Sequence, residues 1–171
     1  MEFDEMVINV GLRYDQFDPE SDYPSDRRNP ANQLILPDSM TSQYPQAPII
    51  EQISPRLGFA YQLGNQAVLH FSYGHFFQMP PMYAMYQNHS YLVDPNDFVT
   101  RMGNTLLEPE KTITYEIGLW QELSRQASLD VALFYRDIYN LLTTKTLSTY
   151  NQVKYGLYSN KDYGNARGLE I

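Results

Sequence analysis

The sequence has no cysteine, little positive charge and no long apolar run. Without cysteine, the chain carries neither a disulfide framework nor a thiolate metal site. Its 20 Asp and Glu residues outnumber its 12 Lys and Arg residues, and a formal net charge of −8 argues against a nucleic-acid partner. No segment approaches the roughly 18 consecutive apolar residues of a transmembrane helix. The first residues lack the basic and apolar regions of a signal peptide, so we expect them to begin a strand.

What the sequence does have is 15 tyrosines and a repeated two-residue alternation. In QAVLHFSYGHFFQMPPMYAMY (66–86), Leu69, Phe71 and Tyr73 share one face, whereas His70 and Ser72 share the other. The same alternation recurs in the segments 6–17, 53–63, 112–123, 127–142 and 163–171. Alternation of this length is typical of strands and does not fit a helix, whose apolar face recurs every three or four residues. We therefore predict an all-β chain of about six antiparallel, up-and-down strands.

The connections between these strands alternate in length. Tight hairpin turns are predicted at 64–66 and 124–126. Long loops rich in Pro, Asn, Asp, Tyr and Ser are predicted at 18–52, 78–111 and 143–162. Short turns therefore lie at one end of the sheet and long loops at the other. Within the second loop, PPMYAMYQ (80–87) predicts a short helix with proline in its first turn. No linker is visible, so residues 1–171 are expected to form a single domain.

The alternation leaves two interpretations open: the wall of a transmembrane barrel, or a soluble β-sandwich or small barrel. Strands of about ten residues match a tilted crossing of the bilayer, whereas globular strands average about five or six. The opposite faces carry many charges, which suit a watery or protein-filled lumen. We predict that these lumen-facing residues are Arg13, Arg56, Glu116, Asp130 and Arg136, with Arg56 and Glu116 as an ion pair.

Aromatic side chains also favour the membrane interpretation. Tyrosine prefers the membrane interface because its ring is apolar and its hydroxyl group is hydrated. We expect an aromatic belt on the apolar faces toward the long-loop end, comprising Tyr14, Phe17, Tyr73, Phe77, Tyr135 and Tyr139.

Several motifs resemble the barrel region of TonB-dependent outer-membrane receptors. The stretch ISPRLGFAYQLGNQAVLHFSYGHFFQMPP has that family's Pro-Arg-Leu-Gly strand, short turn and Ser-Tyr-Gly strand. GNTLLEPEKTITYEIGLW (103–120) resembles its loop-to-strand motif, and ALFYRDIYNLL (132–142) and NARGLEI (165–171) resemble the strands that follow. INVGLRYDQFDP (8–19) is similar to a preceding strand. The motifs stand in the family's order over roughly residues 53–171.

The resemblance implies a fold and a function. The fold is a partial segment of a large transmembrane β-barrel of about 22 strands, incomplete at both ends in this chain. The function is energy-coupled uptake of a siderophore, cobalamin, oligosaccharide or peptide across the outer membrane of a Gram-negative bacterium. The partners are outer-membrane lipid, a plug domain, the TonB protein and a small ligand. No cofactor and no enzymatic activity are expected; the alternatives are a soluble binding module and an outer-membrane hydrolase.

The ligand is predicted to contact the second long loop. Tyr83, Tyr86, Tyr91, Phe98 and Arg101 lie there, and such aromatic and polar groups suit sugars, peptides or metal chelates. The alternative is that these side chains only pack the loops together.

The histidines predict no metal site. His70 and His75 are separated by an odd number of residues and therefore point to opposite faces of one strand. A hydrolase would need His75 with His89 and Asp94, a spacing that gives no support, and we predict no catalytic residue.

Overall fold

The computed structural model describes residues 2–3, 5–95 and 100–171, and nearly all of its regular structure is β. Two-residue strands β1 (Glu2–Phe3) and β5 (Arg101–Met102) accompany six long strands. The long strands are β2 (Met6–Phe17), β3 (Ile50–Leu63), β4 (Ala67–Gln78), β6 (Glu110–Ser124), β7 (Ala127–Ser148) and β8 (Lys154–Glu170). The six predicted strands are therefore confirmed. The predicted helix is α1 (Met82–Tyr86), which follows Pro81.

One sheet holds all eight strands, in the order β1-β2-β3-β4-β6-β7-β8-β5. Neighbouring long strands are antiparallel, as predicted, and the sheet is open rather than closed. The exception to the antiparallel pattern is β5, which pairs in parallel with the start of β8. Because the described strands form a single layer, a two-sheet sandwich is wrong for this part of the chain.

The register confirms the predicted separation of the two faces. One row of cross-strand partners runs through every long strand on the apolar face: Ile8, Phe59, Phe71, Ile117, Leu133 and Leu169. These side chains are not covered by a second layer, and Val10 and Leu12 are each 77% exposed. We call the sheet formed by the six long strands, as far as the bulge in β7 described below, the wall. Its two sides are called the apolar face and the polar face.

A row of tyrosines lies next to this apolar row on the loop side. Tyr73, Tyr115 and Tyr135 are cross-strand partners, with ring centroids 5.1 and 6.5 Å apart. Higher on the same sheet, the Tyr139 and Tyr163 rings lie 5.2 Å apart. Neighbouring rings stabilise adjacent strands, and their hydroxyl groups suit a boundary between apolar and polar surroundings. Phe17 does not belong to this belt, because it pairs with Ile50 on the polar face.

The predicted third loop is wrong. Instead of a loop at 143–162, β7 continues to Ser148 and β8 begins at Lys154, so only residues 149–153 form the connection. A bulge interrupts the register between Ile138 and Leu142, and Asn140 adopts a positive φ of 61° there. The bulge separates the wall from a hairpin extension, in which the alternation of apolar and polar residues no longer applies.

The long loops and this hairpin extension form a second region, which we call the loop cap: residues 18–49, 79–95, 100–109 and 141–160. Two buried clusters hold it together. One contains Tyr91, Val93, Met102, Tyr155 and Leu157, and the other contains Ala84, Met85, Leu107 and Tyr158. Phe17 packs against the second cluster, so the loops fold over the edge of the sheet on its polar face.

Candidate functional site

The polar face carries a groove of about 530 Å³ in the middle of the sheet. Its axis is a row of cross-strand partners: Arg56, Gly74, Thr114 and Arg136. The neighbouring row supplies Ser72 and Glu116, which are partners on β4 and β6. The groove thus combines two guanidinium groups, one carboxylate and several hydroxyl groups, which can bind polar or anionic groups.

Two aromatic rings hold the arginines of the groove in place. The guanidinium of Arg56 lies 4.8 Å from the ring centre of Phe76, and that of Arg136 lies 4.8 Å from the ring centre of Phe134. Each ring lies over a glycine: an added Cβ would be 2.9 Å from the Phe76 ring at Gly74 and 2.6 Å from the Phe134 ring at Gly168. The glycines therefore make room for rings that lie flat on the wall, and the rings support the cations.

The five predicted lumen-facing residues share the polar face by register, but the predicted pair of Arg56 with Glu116 is wrong. Arg56 and Glu116 form no ion pair, whereas Arg13 pairs with Asp15 at 2.7 Å. The remaining predicted residue, Asp130, is the partner of Trp120 near the short-turn end, away from the groove. A lumen lining is not tested by these contacts and stays a prediction for Arg13, Arg56, Glu116, Asp130 and Arg136.

The residues predicted to bind ligand occupy different environments in the loop cap. Tyr83 is 57% exposed and lies edge-on to Tyr158, with centroids 5.7 Å apart. Arg101 is exposed on β5. Phe98 lies outside the described residues.

Two of the predicted tyrosines instead use their hydroxyl groups inside the loop cap. The Tyr86 hydroxyl donates to the Pro19 carbonyl at 3.0 Å. The buried Tyr91 donates to the carboxylate of Asp22 at 2.9 Å and stacks on Tyr44. Burial and this carboxylate raise the pKa of Tyr91, so its hydroxyl remains a proton donor at neutral pH.

Sequence reasoning missed a group of amides that fastens the loop cap to the wall. The Asn160 side chain donates to the carbonyls of Glu108 and Asn140, at 2.9 and 2.8 Å, and accepts from the Glu108 amide at 2.8 Å. Asn140 donates in turn to Glu108 Oε2 at 3.0 Å. The signal available in the sequence was the asparagine in IYNLL, since Asn tolerates the positive φ that the bulge requires.

No group of three or more His, Cys, Asp or Glu residues is arranged to hold a metal ion among the residues that the structure describes. His75 Nε2 is 2.6 Å from the Tyr73 hydroxyl on the apolar face. No helix in the described ranges is long and apolar enough to cross a membrane.

A single open sheet with one apolar and one polar face, capped by long loops at one end, is the architecture of a segment of barrel wall. The chain belongs to the family of TonB-dependent receptor-like β-barrels, whose model matches residues 1–171. A comparison with curated proteins finds no match.

Solved structures with the same fold include two receptors and an iron transporter. The hemophore receptor HasR of Serratia marcescens, solved as a double mutant with its hemophore HasA and heme, has a TM-score of 0.62 and 19% identity over 96% of this chain. The FrpB iron transporter of Neisseria meningitidis has a TM-score of 0.59 and 15% identity over 98%. The siderophore receptor PirA of Pseudomonas aeruginosa has a TM-score of 0.55 and 15% identity over 96%. The chain spans 28%, 21% and 35% of these three proteins.

Proposed function

We propose that the chain is part of the barrel domain of an outer-membrane receptor that imports a small ligand with energy from TonB. The supporting observation is the row of uncovered apolar side chains that crosses all six long strands, with a polar, charged groove on the other face. A sheet with these two faces suits a boundary between lipid and an aqueous or protein-filled lumen. Because an open sheet edge is not tolerated in lipid, the remaining strands of the barrel must accompany this segment.

Within that receptor, the loop cap lies at the extracellular mouth and the groove lies in the lumen below it. A plug domain covers the groove, and its polar groups contact the two ring-supported arginines. The exposed side chains of Tyr83 and Arg101 are the part of the predicted ligand site that is accessible from the mouth. Tyr86 and Tyr91 support the same site from within the loop cap through their hydroxyl groups.

Growth and uptake assays with defined nutrients test this proposal. Cells that carry or lack the full-length receptor, each with and without functional TonB, would be supplied with heme, ferric enterobactin or cobalamin. We expect uptake of one probe to require both the receptor and TonB. If the uptake of each probe is equal in all four strains, the proposal is contradicted for these ligand classes.

A matched pair of loop variants tests the ligand site in the same assay. Tyr83→Ala and Arg101→Ala together should weaken binding of the imported probe and leave the heat resistance of the barrel unchanged. The control is Met82→Ala, an exposed neighbour of Tyr83 with no polar group. Unchanged binding in the double variant would show that the two side chains do not contact the ligand.

A further inference from the structure

Arg27 lies where the separate segments of the loop cap meet. Its Nη2 donates to the side-chain oxygen of Asn104 at 3.0 Å, and its backbone carbonyl accepts the hydroxyl of Tyr155. The guanidinium also lies 5.9 Å from the ring centre of Tyr23. One residue therefore connects the first loop, the second loop and the β7–β8 hairpin, over separations of 77 and 128 residues.

The charge of Arg27 has no carboxylate partner within the part of the chain that the structure describes. The acidic groups nearest in sequence are engaged elsewhere: Asp22 accepts from Tyr91 at 2.9 Å, and Asp26 accepts from Tyr150 at 2.9 Å. Arg27 Nη1 is buried and makes no hydrogen bond. Arg27 as a whole is half-buried, so the loop cap holds a partly covered cation with one nitrogen that lacks a hydrogen-bond partner within the chain.

Such a cation opposes the closed arrangement of the loops. Burial lowers the pKa of Arg27, yet a guanidinium stays protonated in proteins, so the group cannot relieve the cost by losing its proton. Partial burial of a charge without a counter-ion costs free energy, whereas water would solvate the guanidinium fully if the loops separated. The buried clusters around Met102 and Met85 act in the opposite direction and hold the loops together.

We propose that Arg27 is the residue that favours opening of the loop cap. Its uncompensated charge keeps the closed loops only marginally stable against separation, so that the cap opens and closes reversibly. This inference rests on the proposed function only for the position of the loop cap at the mouth of a barrel, where opening would admit a ligand. The balance between charge and packing does not depend on transport, so it can be tested even if no imported ligand is found.

Amide hydrogen exchange of the full-length receptor in detergent micelles measures the opening directly. Peptides covering residues 82–93 and 150–158 report on the second loop and the hairpin. Arg27→Met keeps much of the apolar stem and removes the charge, so we expect exchange in both peptides to slow by about five- to tenfold. The matched control is Arg28→Met, because the exposed Arg28 stacks on Tyr150 at 4.2 Å and its loss changes net charge equally. The control should change exchange by less than about twofold.

A second variant separates charge from packing. Arg27→Lys keeps the cation but loses the planar group that bonds Asn104 and contacts Tyr23, so exchange should become faster. Opposite effects of Arg27→Met and Arg27→Lys would support the proposal. Unchanged or faster exchange in Arg27→Met would overturn it, since Arg27 would then contribute nothing to opening or would stabilise the closed loops.

Discussion

Val10 and Leu12 on the wall expose 77% of their surface, whereas Met102 in the loop cap is completely buried. The contrast is general. The buried apolar side chains of the described residues lie in the loop cap, apart from Ala67 on β4. The wall leaves its apolar side chains uncovered on one face, and the loop cap packs its own into a core. Apolar side chains are therefore exposed in one region of the chain and buried in the other. The bulge at Asn140 marks the boundary between the two regions in the β7–β8 hairpin.

The largest effect is expected inside the loop cap. Met102→Ala removes a fully buried side chain that joins both loops to the hairpin, and it should destabilise the closed cap by about 2–5 kcal/mol. Limited proteolysis of the full-length receptor should then cut within the cap, while the heat resistance of the barrel stays unchanged. Met82→Ala is the control, since Met82 is 56% exposed. Loss of barrel heat resistance in Met102→Ala would show that the wall and cap are not separate regions.

On the wall, the two faces should respond differently to the same charge. Ile117→Lys places a cation on the apolar face and should impair membrane assembly by about 2–4 kcal/mol. Ser72→Lys places it beside Glu116 on the polar face and should have a milder effect. Folding of the full-length receptor into bilayers, followed by heat-dependent gel mobility, measures both. Equal losses would mean that both faces have the same surroundings.

A smaller loss of stability is expected from a substitution beneath the His70 ring, which lies flat on the wall. An added Cβ at Gly118 would overlap the His70 imidazole, so Gly118→Ala forces that ring to move and should cost about 1–3 kcal/mol. Gly11→Ala is the matched control, because nothing lies within 4 Å of its added Cβ. Adding His70→Ala to Gly118→Ala should restore part of the lost stability in chemical unfolding. If the double variant is as destabilised as Gly118→Ala alone, the overlap with His70 is not the cause of the lost stability.

The alternation in the sequence was enough to predict the wall. It predicted β2 at 6–17 and the division into two faces, because each face keeps one kind of side chain along the whole strand. The short helix was predicted separately, from the prolines before Met82. It failed for Phe17, which was placed in the belt although its position in β2 puts it on the polar face. It also failed for the hairpin at 143–162, where packing in the loop cap replaces contact with a uniform solvent.

The contacts of the loop cap could not be predicted from local patterns. The Tyr91–Asp22 and Tyr155–Arg27 hydrogen bonds join residues 69 and 128 positions apart. Nothing near these residues in the sequence indicates their partners. Local patterns also do not predict the two ring-supported arginines. Their positions depend on the register of several strands and on the space left by Gly74 and Gly168.

Accessibility along β6 tests the two faces most directly. Spin labels would be attached to single cysteines at Thr114, Tyr115, Glu116 and Ile117 in a cysteine-free full-length receptor in lipid bilayers. Labels at 115 and 117 should collide with oxygen, which concentrates in lipid, and escape a water-soluble nickel complex. Labels at 114 and 116, next to the groove, should be shielded from oxygen. Equal collision with the nickel complex at all four positions, or the absence of a two-residue period, would contradict the assignment of this sheet to a membrane wall.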